Sequence, residues 1–386
     1  MTDRFIPYGR QTVDDDDVAA VVEVLRGDWL TTGPAVERFE SVFTGFVGAE
    51  HGVAVSNGTA ALHLAMLAAG VGPGDEVIVP ALTFVASANS ARYVGATVVF
   101  ADVRDDTLTI DVDQVASMIT PRTKAIVAVD YGGTPCDLDE LLDLASRHGL
   151  VVVEDACHAP GAEYRGRKVG AIAHLSTFSF HPVKSLTTGE GGMVTTNDAG
   201  LAAKVRQLRN HGIDTDFRQR EVHGTWAYDM AELGFNYRLS DINCALGASQ
   251  VDKLSGWVKQ RQALAARYDE LLADLPQIRV PTVPADRTSG WHLYPIRLAT
   301  EDPAASRKRV FEHLRGNGIG VNVHYLPVYL HSWYRDAGYE RGLCPVAEAA
   351  YEGLLSLPMW PGLTEADQDR VARLLSEVLE VEADGG

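Results

Sequence analysis

The stretch Leu150-Val-Val-Val-Glu154-Asp155-Ala-Cys-His158 puts four apolar residues in a row and then two carboxylates. An apolar run without polar alternation reads as a strand covered on both faces, the habit of parallel sheets packed between helices. The same texture recurs at Gly52–Val55, Val77–Pro80, Thr97–Asp102, Ala125–Asp130, Ser176–Phe180 and Gly192–Thr196. Helical stretches lie between them: Thr59 to Gly70 opens after Ser56-Asn-Gly58, and Asp137 to Gly149 has an acidic start and a glycine stop. The seven runs predict an α/β fold whose large domain carries a mostly parallel seven-stranded sheet covered by helices. In such sheets ligands bind beyond the carboxyl ends of the strands, which is where Asp155 falls.

Past residue 240 the texture changes. A long helix is predicted from Ser240 to Leu275, followed by a proline-rich connection from Pro276 to Pro284 and a new strand at Trp291–Arg297. This reads as a smaller C-terminal α+β domain, and 386 residues is a length suited to two domains. The division is drawn as 1–250 for the large domain and 251–386 for the small one. The acidic run Asp14–Asp17 opens a helix ending near Arg26, with its carboxylates expected in solvent on the positive end of the helix dipole. Glu380–Gly386 reads as a frayed terminus.

Fifty-two acidic against 34 basic residues leave a net charge of −18, the wrong sign for binding nucleic acid or an anionic membrane surface. No apolar run approaches the roughly 18 residues of a membrane span. Cys136, Cys157, Cys244 and Cys344 are widely spaced with no CxxC pair, which fits a reducing compartment. The histidines show no HExxH and no paired spacing, so no metal is expected. Met1-Thr-Asp-Arg-Phe-Ile lacks the basic and apolar regions of a signal peptide, making the cytoplasm the expected location.

Three loops at the expected carboxyl edge can carry chemistry. Gly70-Val-Gly-Pro-Gly74 is not one of them: it follows a helix and precedes a strand, the wrong context for a dinucleotide fingerprint, and reads as a cap and turn. Ser56-Asn57-Gly58-Thr59 closes a strand and opens a helix, leaving first-turn N–H groups for a single phosphate; any strand-turn-helix carries such capping residues. Asp155 ends a strand too apolar to lie at the surface, and a buried carboxylate needs a partner. Ser179-Phe-His-Pro-Val-Lys184-Ser-Leu-Thr-Thr-Gly189-Glu-Gly-Gly192 holds one lysine among small residues. Alone, that lysine reads as a solvated loop residue. Together the three features match the needs of pyridoxal 5′-phosphate: an amine to hold the aldehyde as a Schiff base, a carboxylate to keep the pyridine nitrogen protonated, and donors for the phosphate. Lys184 and Asp155 are therefore the catalytic candidates, and Gly58, Thr59 and Ser179 the phosphate cup.

The chain also resembles the DegT/DnrJ/StrS sugar aminotransferases, pyridoxal-phosphate enzymes of fold type I. The resemblance lies in Trp29-Leu-Thr-Thr-Gly-Pro34, Ser56-Asn-Gly-Thr-Ala-Ala-Leu62, Pro80-Ala-Leu-Thr-Phe84, Glu154-Asp-Ala-Cys-His158, Phe180-His-Pro-Val-Lys184, Arg209-Asn-His-Gly212, Gly234-Phe-Asn-Tyr-Arg238 and Val323-His-Tyr-Leu-Pro327. It implies that Phe84 stacks on one face of the pyridine ring and that His158 lies against the other. It further implies that Asn236 reaches the cofactor phosphate of a neighbouring subunit, giving a homodimer with shared sites. Thr31, Thr32, Arg238, His324 and Tyr325 are the implied substrate contacts.

Relatives that dehydrate sugars replace the lysine by histidine, so Lys184 favours transamination. Ser185-Leu-Thr-Thr-Gly-Glu-Gly-Gly192 resembles the enzymes that aminate C4 of a nucleotide-linked 4-keto-6-deoxyhexose, whereas C3-acting relatives carry an Asn-Leu-Gly type of sequence there. Val129-Asp-Tyr-Gly-Gly133 leans toward a UDP-linked sugar, with a dTDP sugar left open. L-Glutamate is the expected donor. The competing readings are a keto-cyclitol aminotransferase, a 3-aminotransferase, a lyase or desulfurase needing a reactive cysteine, and a non-catalytic regulator needing a basic segment that this chain lacks.

Overall fold

The computed structural model describes residues 4–215, 220, 222 and 224–384. Every one of the apolar runs becomes a strand of one sheet. These are β1 (His51–Val55), β2 (Glu76–Pro80), β3 (Thr97–Ala101), β4 (Thr123–Val129) and β5 (Val151–Asp155); past the short strands β6 (Glu163–Tyr164) and β7 (Arg167–Lys168) come β8 (Leu175–Ser179) and β9 (Gly192–Thr196). The seven-stranded order is β1-β9-β8-β5-β4-β2-β3. Neighbours from β8 to β3 pair in parallel, while β9 runs antiparallel to both β8 and β1. The reversal has a use: β8 ends and β9 begins at the same edge, so the whole Lys184 loop stays at the carboxyl side of the sheet. Gly192, the first residue of β9, is pressed against the β1 turn, and a Cβ there would lie 2.5 Å from the Asn57 carbonyl oxygen.

One face of the sheet is covered by the helices Gly58–Ala68 and Val85–Tyr93. The other is covered by Leu138–His148, which turns Leu138, Leu141, Leu144 and Ala145 inward and stops at Gly149 with φ 67°. The long helix is Asp241–Leu272. Its buried Asp241 accepts the N–H groups of Gly33 (2.7 Å) and Ala35 (3.0 Å), capping the helix Pro34–Val47 from outside. A Cβ on Gly33 would sit 2.4 Å from that carboxylate, which accounts for the glycine in Thr31-Thr32-Gly33-Pro34. No described helix is long and apolar enough to cross a membrane.

A second core surrounds the antiparallel strands β10 (Ile278–Arg279), β12 (Tyr294–Leu298) and β13 (Leu354–Leu357), while β11 (Arg287–Thr288) joins β6 and β7. Ile6 enters this core and is clasped by Ile6 N–H to Gly318 O (2.9 Å) and Gly320 N–H to Ile6 O (2.6 Å).

Three local expectations need correction. The strand predicted from Trp291 starts only at Tyr294, because Trp291 has φ 47° and Gly290 and Leu293 bond to the Gly132–Gly133 turn instead. The acidic run is not wholly solvated: Asp17 is fully buried and takes Ser249 Oγ (2.7 Å), Gln250 Nε2 (2.7 Å) and Lys253 Nζ (2.8 Å), tying its helix to the long one. The terminus stays helical through Asp384, and Gly385–Gly386 lie outside the described residues.

Side chains alternate along β5, so Glu154 faces away from Asp155. Glu154 is fully buried; Ser176 Oγ (2.5 Å) and the Gly170 N–H (3.3 Å) donate to its Oε2. Its Oε1 and Oδ2 of buried Asp130 have no hydrogen-bond donor among the described residues, as expected of two neighbouring carboxyls sharing a proton. Burial raises the Glu154 pKa from 4.5 to about 7, and burial and Glu154 raise that of Asp130. Between these values the folded chain holds a proton that the unfolded chain has released, so stability falls as pH rises through that window. Glu154→Gln imitates the protonated pair; it should flatten this slope and stabilise the chain by roughly 1–3 kcal/mol at pH 8. Thermal melting of both proteins from pH 5 to 8 checks this, and parallel curves would count against it.

Candidate active site

At the carboxyl ends of β1, β5 and β8 lies a cavity of about 1110 Å³. Its floor is built by the helix Gly58–Ala68, whose N-cap Asn57 accepts the Ala60 N–H at 2.8 Å. Gly58 is pressed so close to β8 that a Cβ would lie 2.8 Å from Ser179 Cβ. That contact brings the first-turn N–H groups of Gly58 and Thr59 beside the Ser179 hydroxyl, and a helix start with an adjacent hydroxyl is a ready anion site.

Asp155 closes β5 and is only 6% exposed. Its Oδ2 accepts Ser87 Oγ at 2.6 Å and its Oδ1 the Cys157 N–H at 3.3 Å, while Ser87 Oγ is in turn 2.8 Å from Thr83 Oγ1. Lys184 reaches the cavity from the loop after β8, where its N–H donates to His181 O at 2.9 Å. Its Nζ makes no hydrogen bond or ion pair with any described residue. Burial pulls the Lys184 pKa below its ordinary value, while Cys157 and Asp155 oppose the shift.

Aromatic groups make the walls. Phe84 is 54% exposed at the start of the Val85–Tyr93 helix and lies 5.9 Å from the Tyr325 ring. His158 faces Tyr325, with Nε2 to the hydroxyl at 3.3 Å, and packs on His292 with ring centroids 4.5 Å apart. His324 joins through Nε2 to Asn322 Nδ2 (3.2 Å) and through Nδ1 to Ser356 Oγ (2.9 Å). Burial, with Lys184 nearby, lowers the pKa values of all three histidines, that of His324 to about 4. They are therefore neutral imidazoles at pH 7.

The structure thus brings Gly58, Thr59, Phe84, Asp155, His158, Ser179, Lys184, His324 and Tyr325 to one cavity. It leaves the other four expected residues outside its lining within a single chain. Asn236 is exposed and its main chain pairs with Asn210. Arg238 holds Asn210 Oδ1 through Nη1 at 2.7 Å. Thr31 is exposed and pairs with Ser240, and Thr32 has φ 54°. Sequence reasoning missed Ser87, Tyr8, Tyr237 and His292. Ser87 lies only three residues past Phe84, but nothing local marks it as the partner of a carboxylate 68 positions away.

A family model for the DegT/DnrJ/EryC1/StrS aminotransferase family matches residues 11–376. The spore coat polysaccharide biosynthesis protein SpsC of Bacillus subtilis is 39% identical over 97% of each chain. Among solved structures, the PLP form of the putative sugar aminotransferase Spr1654 of Streptococcus pneumoniae is similar with a TM-score of 0.92 and 31% identity, covering 98% of this chain and 99% of that one. PseC of Helicobacter pylori, an aminotransferase involved in the biosynthesis of pseudoaminic acid, has a TM-score of 0.91 at 32% identity, covering 98% and 100%. Read with a cavity that sets one unpaired lysine beside a buried strand-end aspartate, these likenesses have one meaning: the chain belongs to the DegT/DnrJ/EryC1/StrS aminotransferase family.

Proposed function

We propose that this chain, a pyridoxal-phosphate-dependent sugar aminotransferase, moves the amino group of L-glutamate to C4 of a nucleotide-linked 4-keto-6-deoxyhexose carried on UDP or dTDP. The observation that supports the reading best is Lys184 Nζ, unpaired within a cavity that also contains the buried Asp155 carboxylate. The residues fit the cofactor at each point: an amine for its aldehyde, a carboxylate for its ring nitrogen, a helix start with Ser179 for its phosphate, and an aromatic wall of Phe84 and His158. The relatives named above include a PLP-form sugar aminotransferase and an enzyme of pseudoaminic acid biosynthesis, which supports the same class.

Pyridoxal phosphate supplies an electron sink that loosens a C–H bond next to the transferred nitrogen. Lys184 has the proton-carrying role: with its pKa lowered by burial, Nζ is closer to the free base at neutral pH and takes the proton from one carbon and returns it to another. Asp155 keeps the ring nitrogen protonated, and Ser87 holds Asp155 by its hydroxyl. The neutral histidines keep competing charge away from the amine. The reading also includes a cytoplasmic homodimer and a division of the chain near residue 250. In that dimer a second copy brings Asn236 to the phosphate, while Thr31, Thr32 and Arg238 meet the acceptor with His324 and Tyr325. No arginine among the described residues lines the cavity of a single chain.

Three measurements test this. After incubation with pyridoxal phosphate and borohydride, the covalent label should be found by mass spectrometry on the peptide carrying Lys184 and be missing from Lys184→Ala; label elsewhere overturns the lysine assignment. Asp155→Asn should still fold and bind cofactor but lose at least about 100-fold in kcat, since a positioned proton-handling group contributes on that scale. Full activity there means that another group serves the ring. With L-glutamate and a panel of nucleotide-linked 4-keto and 3-keto sugars plus a keto-inositol, product NMR should find the amine at C4. A 3-amino product, or faster turnover of the keto-inositol, rejects the C4 assignment alone.

A further inference from the structure

We propose that His292 is a positioning residue: delivered from the second core, its ring holds the imidazole of His158 in place on the cavity wall. The proposal rests on the cofactor reading above for its consequence, but the geometry stands by itself. The two rings are tilted at 44° with centroids 4.5 Å apart, and both residues are only 6% exposed. Nδ1 of each has no hydrogen-bond partner among the described residues, and the other nitrogen of His158 has one long contact, 3.3 Å to Tyr325. Hydrogen bonds therefore do little to fix the His158 ring, and packing must do it.

The backbone that carries His292 is held far more firmly than a covering loop requires. Trp291 is kept at φ 47°, a left-handed conformation that few bulky side chains adopt. Gly290 and Leu293 donate their N–H groups to Gly133 O (2.9 Å) and Gly132 O (3.1 Å). From the long helix, fully buried Arg261 donates through Nη1 to Trp291 O (3.0 Å) and Met359 O (2.9 Å). Gly133, at φ 110°, makes the approach possible: a Cβ there would lie 2.6 Å from Trp291 N and 2.9 Å from His158 O. The His158 turn and the His292 loop are thus clamped through one glycine.

The groups facing His158 are Lys184, His324, Tyr325 and His292. Burial together with the first two keeps His158 uncharged. Removing the His292 ring opens a void that water can enter, which frees the His158 ring to rotate and to take a proton at higher pH.

The test uses apo-protein with isotope-labelled histidine rings, together with the dissociation constant for added pyridoxal phosphate. In His292→Ala the His158 resonance should titrate at a higher pH than in the parent chain, and the dissociation constant should rise about three- to tenfold, the range expected for one lost ring contact. His292→Phe, which restores a ring without nitrogens, should return both values toward those of the parent. An unchanged His158 titration and dissociation constant in His292→Ala overturn the proposal, as does a His292→Phe protein as impaired as the alanine variant. If His292→Ala does not fold, His292→Gln against His292→Phe makes the same comparison of ring absent with ring present. If the parent chain takes up no pyridoxal phosphate, the cofactor reading fails, while the His158 titration, measured without cofactor, still decides this proposal.

Discussion

A carboxylate at the end of a strand covered on both faces cannot be left desolvated and alone, and the site is arranged around that constraint. Asp155 has two local donors, the Ser87 hydroxyl and the Cys157 N–H, but no direct ion pair among the described residues. A full counter-ion would cancel the charge; two neutral donors hold it in position and leave it able to act on something else. Lys184 is near enough to feel this charge and is not bonded to it. The separation keeps both groups available, at the cost in stability that unpaired polar groups in a cavity carry.

Opposite faces of β5 solve the same problem differently. On the cavity side Asp155 is met by two neutral donors, whereas behind the sheet Glu154 meets Asp130, and the pair is stabilised by retaining a proton. Adjacent residues in one strand thereby meet different partners, set by what each face offers. The imidazoles of His158, His292 and His324 likewise stay uncharged, by shedding their protons. The result is a large cavity in which few groups carry charge.

The sheet was legible in the sequence because a strand buried on both faces leaves an unbroken apolar run, and all seven runs became strands of one sheet. The direction of β9 was not legible, since periodicity is the same in either sense. Asp17 was misread because its neighbours Asp14 to Asp16 are solvent-facing and nothing within the run marks the one that meets Lys253 and Gln250 across the fold. Lys184, Asp155 and the Gly58 turn could be singled out because each lies at or just past the carboxyl end of a strand, and the structure brings all three to one cavity. His292 escaped for the opposite reason: it sits in an irregular segment with a left-handed residue, inside a run that reads as a regular strand.

The pairing of Ile6 with Gly318 and Gly320 joins positions more than 300 residues apart. Contacts of such separation are the slowest to form, since the intervening loop must be closed before they repay its entropy. During synthesis the strands β1 to β9 have all emerged before residue 318 exists, but the core on the Gly58–Ala68 face of their sheet is closed only when Val328, Tyr329, Tyr334 and Ala347 follow. The second core is completed only once residues as late as Leu375 and Leu379 have been made. The site therefore stays open until late: the strand ends that carry Lys184 and Asp155 are made first, and the wall that supplies His292, His324 and Tyr325 follows more than 100 residues later.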